Sequence, residues 1–395
     1  MHKDILVSGL GIICAIGNNT ADCLDSLLSE KSGIGDIQIL DTVHKDEFKV
    51  GEVKMTNLKL LKLLNIPEEA YSNYSRTSLL AIVAAKEALE SSQINLNDGL
   101  KTGIVSATTI GGMDKTENNY LKDGADTNYI LSHSCGDSTE KIANYLGISD
   151  YRTTISTACS SAANAIMHGA NLIKHGIIDR AIVGGVDSLS KFTLNGFNSL
   201  MILDKGYCKP FDENRKGLNL GEGAGFIILE KAENNPKRKL CYLSGFANAN
   251  DAFHETASSP NGLGAYTAMK LAIEMSGKEL SDIDYVNVHG TGTENNDLSE
   301  GVALKRVFGD NIPKFSSTKS YTGHTLAAAA GLEAVFSVLA IQNGIIYPNL
   351  NFTNVIKDLG IKPQIKLETG KTINTVLSNS FGFGGNSSSL IFSKI

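Results

Sequence analysis

Short apolar runs alternate along this chain with longer stretches in which apolar residues recur at helical spacing, a pattern that predicts buried strands interleaved with helices. Residues 5–13 read as a first strand. Thr20–Leu28 reads as a helix, with Asn18, Asn19 or Thr20 as cap. Residues 35–66 are mixed and read as surface-exposed. Residues 75–89 form a strong helix pattern in which Leu79, Leu80, Ile82, Val83, Ala84 and Ala88 give a broad apolar face. A strand at 102–107 runs into the turn Thr109-Ile110-Gly111-Gly112, and 138–146 is helical. The β-branched stretch 151–156 leads through small residues into a helix carrying Ile166, Met167, Ala170 and Ile173. A buried strand follows at 180–187, then a loop at 195–217 and a turn and strand at 221–230.

The polar run 234–239 marks a boundary, which divides the chain into 1–236 and 237–395. The second part repeats the theme. Strands at 240–246, 284–288 and 314–318 alternate with helices at 264–276, 298–308 and 325–342, before final strands at 375–379 and 388–393. In each part a strand passes through small residues into a helix, with Cys159 at the junction in one and His324 in the other. We read this as a weak internal duplication and the whole as α/β layers with covered sheets.

Composition narrows the picture. The chain has 395 residues, 42% hydrophobic and 20% charged, which suits two domains or one fold of two similar halves. A formal net charge of −6 argues against a general nucleic-acid surface, so any anionic partner needs a local basic patch. The six cysteines show no CxxC spacing, which argues against zinc and disulfides and for a reducing compartment. The first apolar run is short and broken by glycines, unlike a signal peptide or membrane span. The expectation is a soluble cytoplasmic protein.

Four stretches carry candidate chemistry. Cys159 falls on a strand-to-helix turn, where unpaired N–H groups and the helix dipole favour thiolate over thiol; the competing reading is a buried structural cysteine. His289 ends a strand and is followed by Gly290-Thr291-Gly292-Thr293. Lys319 and His324 precede a helix containing Glu333. Residues 379–386 form a glycine loop with Phe381, Phe383 and Gly384. Taken singly, these read equally as capping residues, a surface ion pair and positive-φ turns.

Together the motifs Thr-Ala-Cys-Ser-Ser, His-Gly-Thr-x-Thr, Lys-Ser-x-Thr-Gly-His and Asn-Ser-Phe-Gly-Phe-Gly-Gly, with Pro210-Phe211-Asp212 and Gly221-Glu-Gly-Ala-Gly, resemble the elongating β-ketoacyl–acyl-carrier-protein synthases of the thiolase-like superfamily. The resemblance covers nearly the whole chain and implies a layered αβαβα fold from two similar halves. It implies an acyltransferase that condenses malonyl carrier with an acyl group held on Cys159, extending the chain by two carbons in fatty-acid-type biosynthesis. His289 and His324 would donate to the developing oxyanion, and Lys319 with Glu333 would hold the electrostatics of the second histidine. Thr291 and Thr293 would bind the pantetheine arm, Ile110 and Gly384 would contribute to the substrate site, and Phe383 would gate the acyl tunnel. The backbone N–H groups of Cys159 and Phe383 would form an oxyanion hole. No metal or other cofactor is implied.

The implied partner is an acidic acyl carrier protein, for which Lys209 and, second, Lys62 are the docking candidates. The resemblance also implies a homodimer, or a heterodimer with a homologue, with the segment 110–135 reaching towards the partner. The departures lie outside the catalytic motifs: a shorter loop between Phe197 and Lys209, no basic residue in 70–74, and Gly385-Asn386-Ser387 in place of a Gly-Gly-Thr-Asn. They leave open an alternative, a ketosynthase of a specialised polyketide or aryl-polyene pathway paired with a non-catalytic chain-length partner. A role as that non-catalytic partner is disfavoured by Cys159. A thiolase is disfavoured by the absence of a second cysteine near the C-terminus.

Overall fold

The computed structural model describes residues 5–124, 127 and 129–395, so Met1 to Asp4 and part of the segment 110–135 lie outside the described residues. Ten strands among them form one sheet: β1 (Ile5–Cys14), β2 (Thr102–Ala107), β3 (Tyr151–Ile155), β4 (Arg180–Asp187), β5 (Gly223–Lys231), β6 (Cys241–Asn250), β7 (Tyr285–Asn287), β8 (Lys314–Ser316), β9 (Thr375–Phe381) and β10 (Asn386–Ser393). Their order is β8-β7-β9-β10-β6-β1-β5-β4-β2-β3.

The two halves of that order are equivalent. From β1 outward, β5 and β4 are added antiparallel and β2 and β3 parallel. From β6 outward, β10 and β9 are added antiparallel and β7 and β8 parallel. The halves meet where β1 pairs with β6, through Leu6 with Tyr242 and Val7 with Cys241. The duplication faint in sequence is therefore complete in topology.

Five helices make the layers: α1 (Arg76–Ser92), α2 (Ser161–Lys174), α3 (Leu263–Ser276), α4 (Glu294–Phe308) and α5 (Ala329–Asn343). α1 covers β1 and β5 from outside, and α3 covers β6 and β10, with α4 against α3. α2 and α5 touch strands of both halves and each other, so they form the middle layer. The architecture is αβαβα. Strand β1 is buried along its whole length because helices cover both of its faces. The stretch Leu326–Asn343 is long and apolar enough to cross a membrane, but 89% of it is buried inside the fold; it is apolar all round because sheet lies on both sides.

Two sequence readings change. Residues 35–66 are not merely surface: the strands Ile34–Asp36 and Lys49–Gly51 pair, and Ile37, Phe48, Val50 and Val53 are buried. The buried Glu52 carboxylate organises this segment by accepting the backbone N–H groups of Gln38, Ile39 and Leu40 at 3.0, 2.9 and 2.9 Å. Helix α4 starts at Glu294, ahead of the apolar periodicity, because its first turn is polar.

The middle layer depends on a glycine contact. A Cβ on Gly331 of α5 would lie 2.4 Å from the Gly225 carbonyl oxygen in β5, and one on Gly225 would lie 2.4 Å from the Gly331 carbonyl carbon. Gly331→Ala should force α5 off the sheet and lower stability by roughly 1–3 kcal/mol, readable in a denaturant melt. It should also disturb Glu333 two residues on, so activity should fall further than stability does.

Candidate active site

Strand β3 delivers Cys159 into a tight turn before α2. Ala158 adopts φ +53°, left-handed backbone that a methyl side chain tolerates at a cost of about 1 kcal/mol. Hydrogen bonds hold the turn in place. Thr157 N–H donates to Ser161 Oγ at 2.8 Å, and Asn386 Oδ1 accepts from Ser160 Oγ at 2.6 Å and Asn164 Nδ2 at 3.0 Å.

From the other half, β7 ends just before His289. The Glu300 carboxylate on α4 accepts the N–H groups of His289 and Gly290 at 2.9 and 2.8 Å, and burial pushes this acid up to about 7. After β8 the chain makes a short helix, Lys319–Thr322, and then reaches His324, whose backbone N–H donates to the Asn219 carbonyl at 2.7 Å. Leu326 N–H donates to His324 Nδ1 at 3.2 Å, which leaves the proton of the neutral ring on Nε2. Lys319 Nζ donates to Glu333 Oε1 inside the fold, and Ser380 Oγ donates to Glu333 Oε2 at 3.2 Å.

These segments meet in a cleft of about 350 Å³ lined by Cys159, His289, His324, Thr291, Thr293 and Phe383, among others. The two imidazoles stand nearly perpendicular, centroids 5.2 Å apart. Thr291 and Thr293 share a hydroxyl–hydroxyl hydrogen bond of 2.8 Å. Phe383 stacks on Phe197, centroids 5.9 Å apart and planes at 19°. A larger cleft of about 700 Å³, lined by Arg76, Asp114 and Glu222, shares none of these residues.

Water exclusion governs the charges. Burial drives both imidazoles well below the ordinary histidine range, Lys319 pushes them further, and His324 adds to the effect on His289. Both are neutral donors at physiological pH. Burial also pushes the Cys159 thiol up to about 12, with Asp187 adding to the rise, while Lys319 and the N–H groups of Phe383 and Cys159 oppose it. The expectation of a thiolate stabilised by the helix terminus is thus overturned: the side chain is only 6% exposed, and desolvation outweighs the dipole. Glu333 is likewise raised by burial, against Lys319 and Ser380.

The structure brings Cys159, His289, His324, Thr291, Thr293 and Phe383 together, with Lys319 and Glu333 immediately behind. Ile110 is buried beside the cleft, in an apolar cluster with Phe197 and Ile202, which do line it. Gly384 is exposed at φ +79°, its N–H donating to the Glu255 carbonyl at 2.7 Å. Lys209 is not in the cleft; it lines a neighbouring one with Lys205 and Lys216, and Lys216 also lines the active cleft. Lys62 is exposed in the last turn of the helix Asn57–Leu63 and lines neither. Sequence reasoning missed Glu300, Ser380, Asn386, Phe197 and Lys216. Ser380 and Asn386 act through long-range hydrogen bonds, and Glu300 through bonds ten and eleven residues back along the chain, none of which a helical or strand period encodes. Among the described residues, no group of His, Cys, Asp and Glu side chains is placed to hold a metal ion.

Comparison with known proteins identifies the family of the chain. Residues 2–235 match the family model "Beta-ketoacyl synthase, N-terminal domain" and 240–353 match "Beta-ketoacyl synthase, C-terminal domain". The chain is 33% identical to nodulation protein E of Rhizobium meliloti over 411 residues, covering 100% of each. It is 31% identical to 3-oxoacyl-[acyl-carrier-protein] synthase 2 of Staphylococcus aureus (strain N315) over 414 residues, covering 100% of this chain and 99% of the other. Among solved structures it is similar to the ishigamide ketosynthase/chain length factor, with TM-score 0.93 and 27% identity over 100% of both chains. It is also similar to the ketosynthase ApeO in complex with its chain length factor ApeC from Xenorhabdus doucetiae, with TM-score 0.86 and 28% identity over 100% of this chain and 98% of that one.

Two measurements follow from the electrostatics. Alkylation of Cys159 by iodoacetamide should still be accelerating at pH 9.0, because burial holds the thiol near 12; a plateau around neutrality would contradict this. Glu333→Ala should leave Lys319 as an uncompensated buried cation and destabilise the fold by about 3–5 kcal/mol in a denaturant melt.

Proposed function

Because the chain belongs to the β-ketoacyl synthase family of thiolase-like condensing enzymes, we propose that it serves as the ketosynthase of a specialised polyketide or aryl-polyene pathway, paired with a non-catalytic chain-length partner. The chain is a condensing acyltransferase; the pathway and pairing are the finer reading. One observation carries that finer reading: the full-length likeness, at 27% and 28% identity, to structures described as ketosynthase with chain length factor. Cys159 makes this chain the catalytic member. The edge strand β3, with no strand on its outer side among the described residues, and the exposed Tyr120, Leu121, Ile130 and Leu131 offer surfaces for such a partner. The second reading, elongation in fatty-acid-type biosynthesis, is favoured by the likeness to the staphylococcal 3-oxoacyl synthase.

The chemistry runs in two stages. Cys159 attacks the carrier thioester, its thiol proton passing to the departing pantetheine sulfur, and the acyl group is held as a thioester. Malonyl carrier then loses carbon dioxide while the imidazole N–H groups of His289 and His324 stabilise the enolate oxygen. The enolate carbon attacks acyl-Cys159, and the tetrahedral oxyanion is received by the backbone N–H groups of Cys159 and Phe383. Collapse expels the Cys159 sulfur as a thiolate, which takes up one proton from solvent to restore the thiol, and releases a β-ketoacyl carrier two carbons longer. Burial keeps His324 unprotonated, and the charge of Lys319, paired with Glu333, reinforces this. Thr291 and Thr293 hold the pantetheine, Phe383 gates the cleft with Gly384 as its hinge, and Ile110 forms the acyl wall. An acidic carrier docks at the basic cleft holding Lys209, with Lys62 a more distant contact. The free thiols suit a cytoplasmic setting, and we divide the halves at 236/237.

A panel of acyl carriers with malonyl carrier, read by intact mass with and without a co-expressed homologue, tests the reading. Repeated extension that needs the homologue supports the specialised pathway; one efficient round by the chain alone supports the fatty-acid reading. Cys159→Ala should abolish the acyl adduct. His289→Ala and His324→Ala should each slow decarboxylation by about a hundredfold or more while acyl-Cys159 still accumulates. Lys209→Glu should slow acylation from the carrier, less so at high salt, and leave acylation by a small thioester unchanged.

A further inference from the structure

Asp187, the last residue of β4, is fully buried and takes no part in the chemistry above. Its carboxylate is nevertheless saturated. Oδ1 accepts Thr108 Oγ1 at 2.5 Å, Thr109 N–H at 3.0 Å and Ile110 N–H at 3.3 Å. Oδ2 accepts Thr109 Oγ1 at 2.5 Å and Ala327 N–H at 2.9 Å. These donors come from both halves of the molecule. Thr108, Thr109 and Ile110 follow β2, whereas Ala327 follows His324 and adjoins Leu326, whose N–H fixes the His324 tautomer. The side chains of Ile110 and Leu326 also belong to one apolar cluster, the one that reaches the cleft through Phe197 and Ile202.

We propose that Asp187 is a positioning residue that couples the arrival of an acyl chain at Ile110 to the orientation of His324. This rests on the ketosynthase reading. An acyl chain on Cys159 that passes Phe197 and Ile202 into this cluster would press on Ile110 and displace the Thr109–Ile110 turn. That turn and the Ala327 N–H hang on one rigid carboxylate, so the movement reaches Leu326 and the ring it bonds. Decarboxylation is thereby matched to a loaded nucleophile, and malonyl carrier is spared when Cys159 is empty. Asp187 also places a negative charge near Cys159. Of the charged and titratable groups packed around the thiol, Lys319 opposes it, and His289 and His324 are neutral.

The test compares malonyl-carrier decarboxylation before and after Cys159 is loaded from octanoyl carrier. Loading should accelerate it in the unmodified protein. Asp187→Asn keeps the Oδ1 acceptor but sets an amide against the Ala327 N–H; acylation should persist while the loaded rate falls by about tenfold, towards that of the unloaded enzyme. Removal of the charge should also move the Cys159 alkylation profile to lower pH. Thr109→Val removes the Thr109 hydroxyl, one of the four hydrogen bonds that tie the acyl-side turn to Asp187, and keeps the charge. It should lower the loaded-to-unloaded ratio without moving the profile, and it guards against an Asp187 variant that does not fold. The proposal is overturned if loading has no effect in the unmodified protein, or if neither variant changes the ratio. Parallel loss of acylation, decarboxylation and melting temperature in both variants overturns it too. Failure of the unmodified protein to form acyl-Cys159 at all would instead remove the ketosynthase reading, and this inference with it.

Discussion

Exclusion of water from the junction between the two halves dominates the protonation of Cys159, His289, His324 and Glu333. Cys159, both imidazoles and the Lys319–Glu333 pair are each about 2–6% exposed, and desolvation is the largest influence on Cys159, His289, His324 and Glu333 alike. One cause therefore produces a protonated thiol, two neutral donors and a lysine whose charge is matched. In a wetter cleft the histidines would protonate near neutrality and could not serve equally as donors and as uncharged neighbours of a thioester.

That dryness is made by the middle layer. α2 and α5 lie between the halves, so the turns entering them are covered from both sides. Glycines at 225 and 331 let α5 sit directly on the sheet, and Glu333, two residues along, is thereby delivered to Lys319. Pairing is what makes this burial tolerable, since an ion buried without a partner costs several kcal/mol. Glu300 and Asp187 apply the same principle to backbone: each buried carboxylate gathers N–H groups from a turn that no regular ladder satisfies.

The mouth of the cleft is built differently. It is lined by Lys216, Glu294, Asn295 and Asn296, a mixed and solvated rim beside the basic cleft of Lys205 and Lys209. The junction is dry, whereas at this solvated rim single charges act weakly and in a salt-dependent way. This separation fits a family whose members share a reaction and differ in what they extend.

The alternation of apolar runs and helical spacing determined the α/β class, the strand and helix order and the two-part repeat, because buried strands and amphipathic helices carry their periodicity locally. The motif residues around Cys159, His289, Lys319, His324 and Phe383 were legible for a related reason: each sits on a short turn whose small neighbours are adjacent in sequence. The protonation of Cys159 was not legible. The helix terminus is local and predicted a thiolate, whereas the desolvation that reverses it comes from the opposite half. The roles of Ser380, Asn386 and Asp187 were invisible for the same reason, since each acts on a segment far away in the chain, and that of Glu300 because its bonds to the turn at His289 follow no helical or strand period. Periodicity and motif record what a residue does with its neighbours in sequence. Which buried carboxylate meets which turn, and how dry the meeting place is, depends on how the two halves close, and only the tertiary structure decided that.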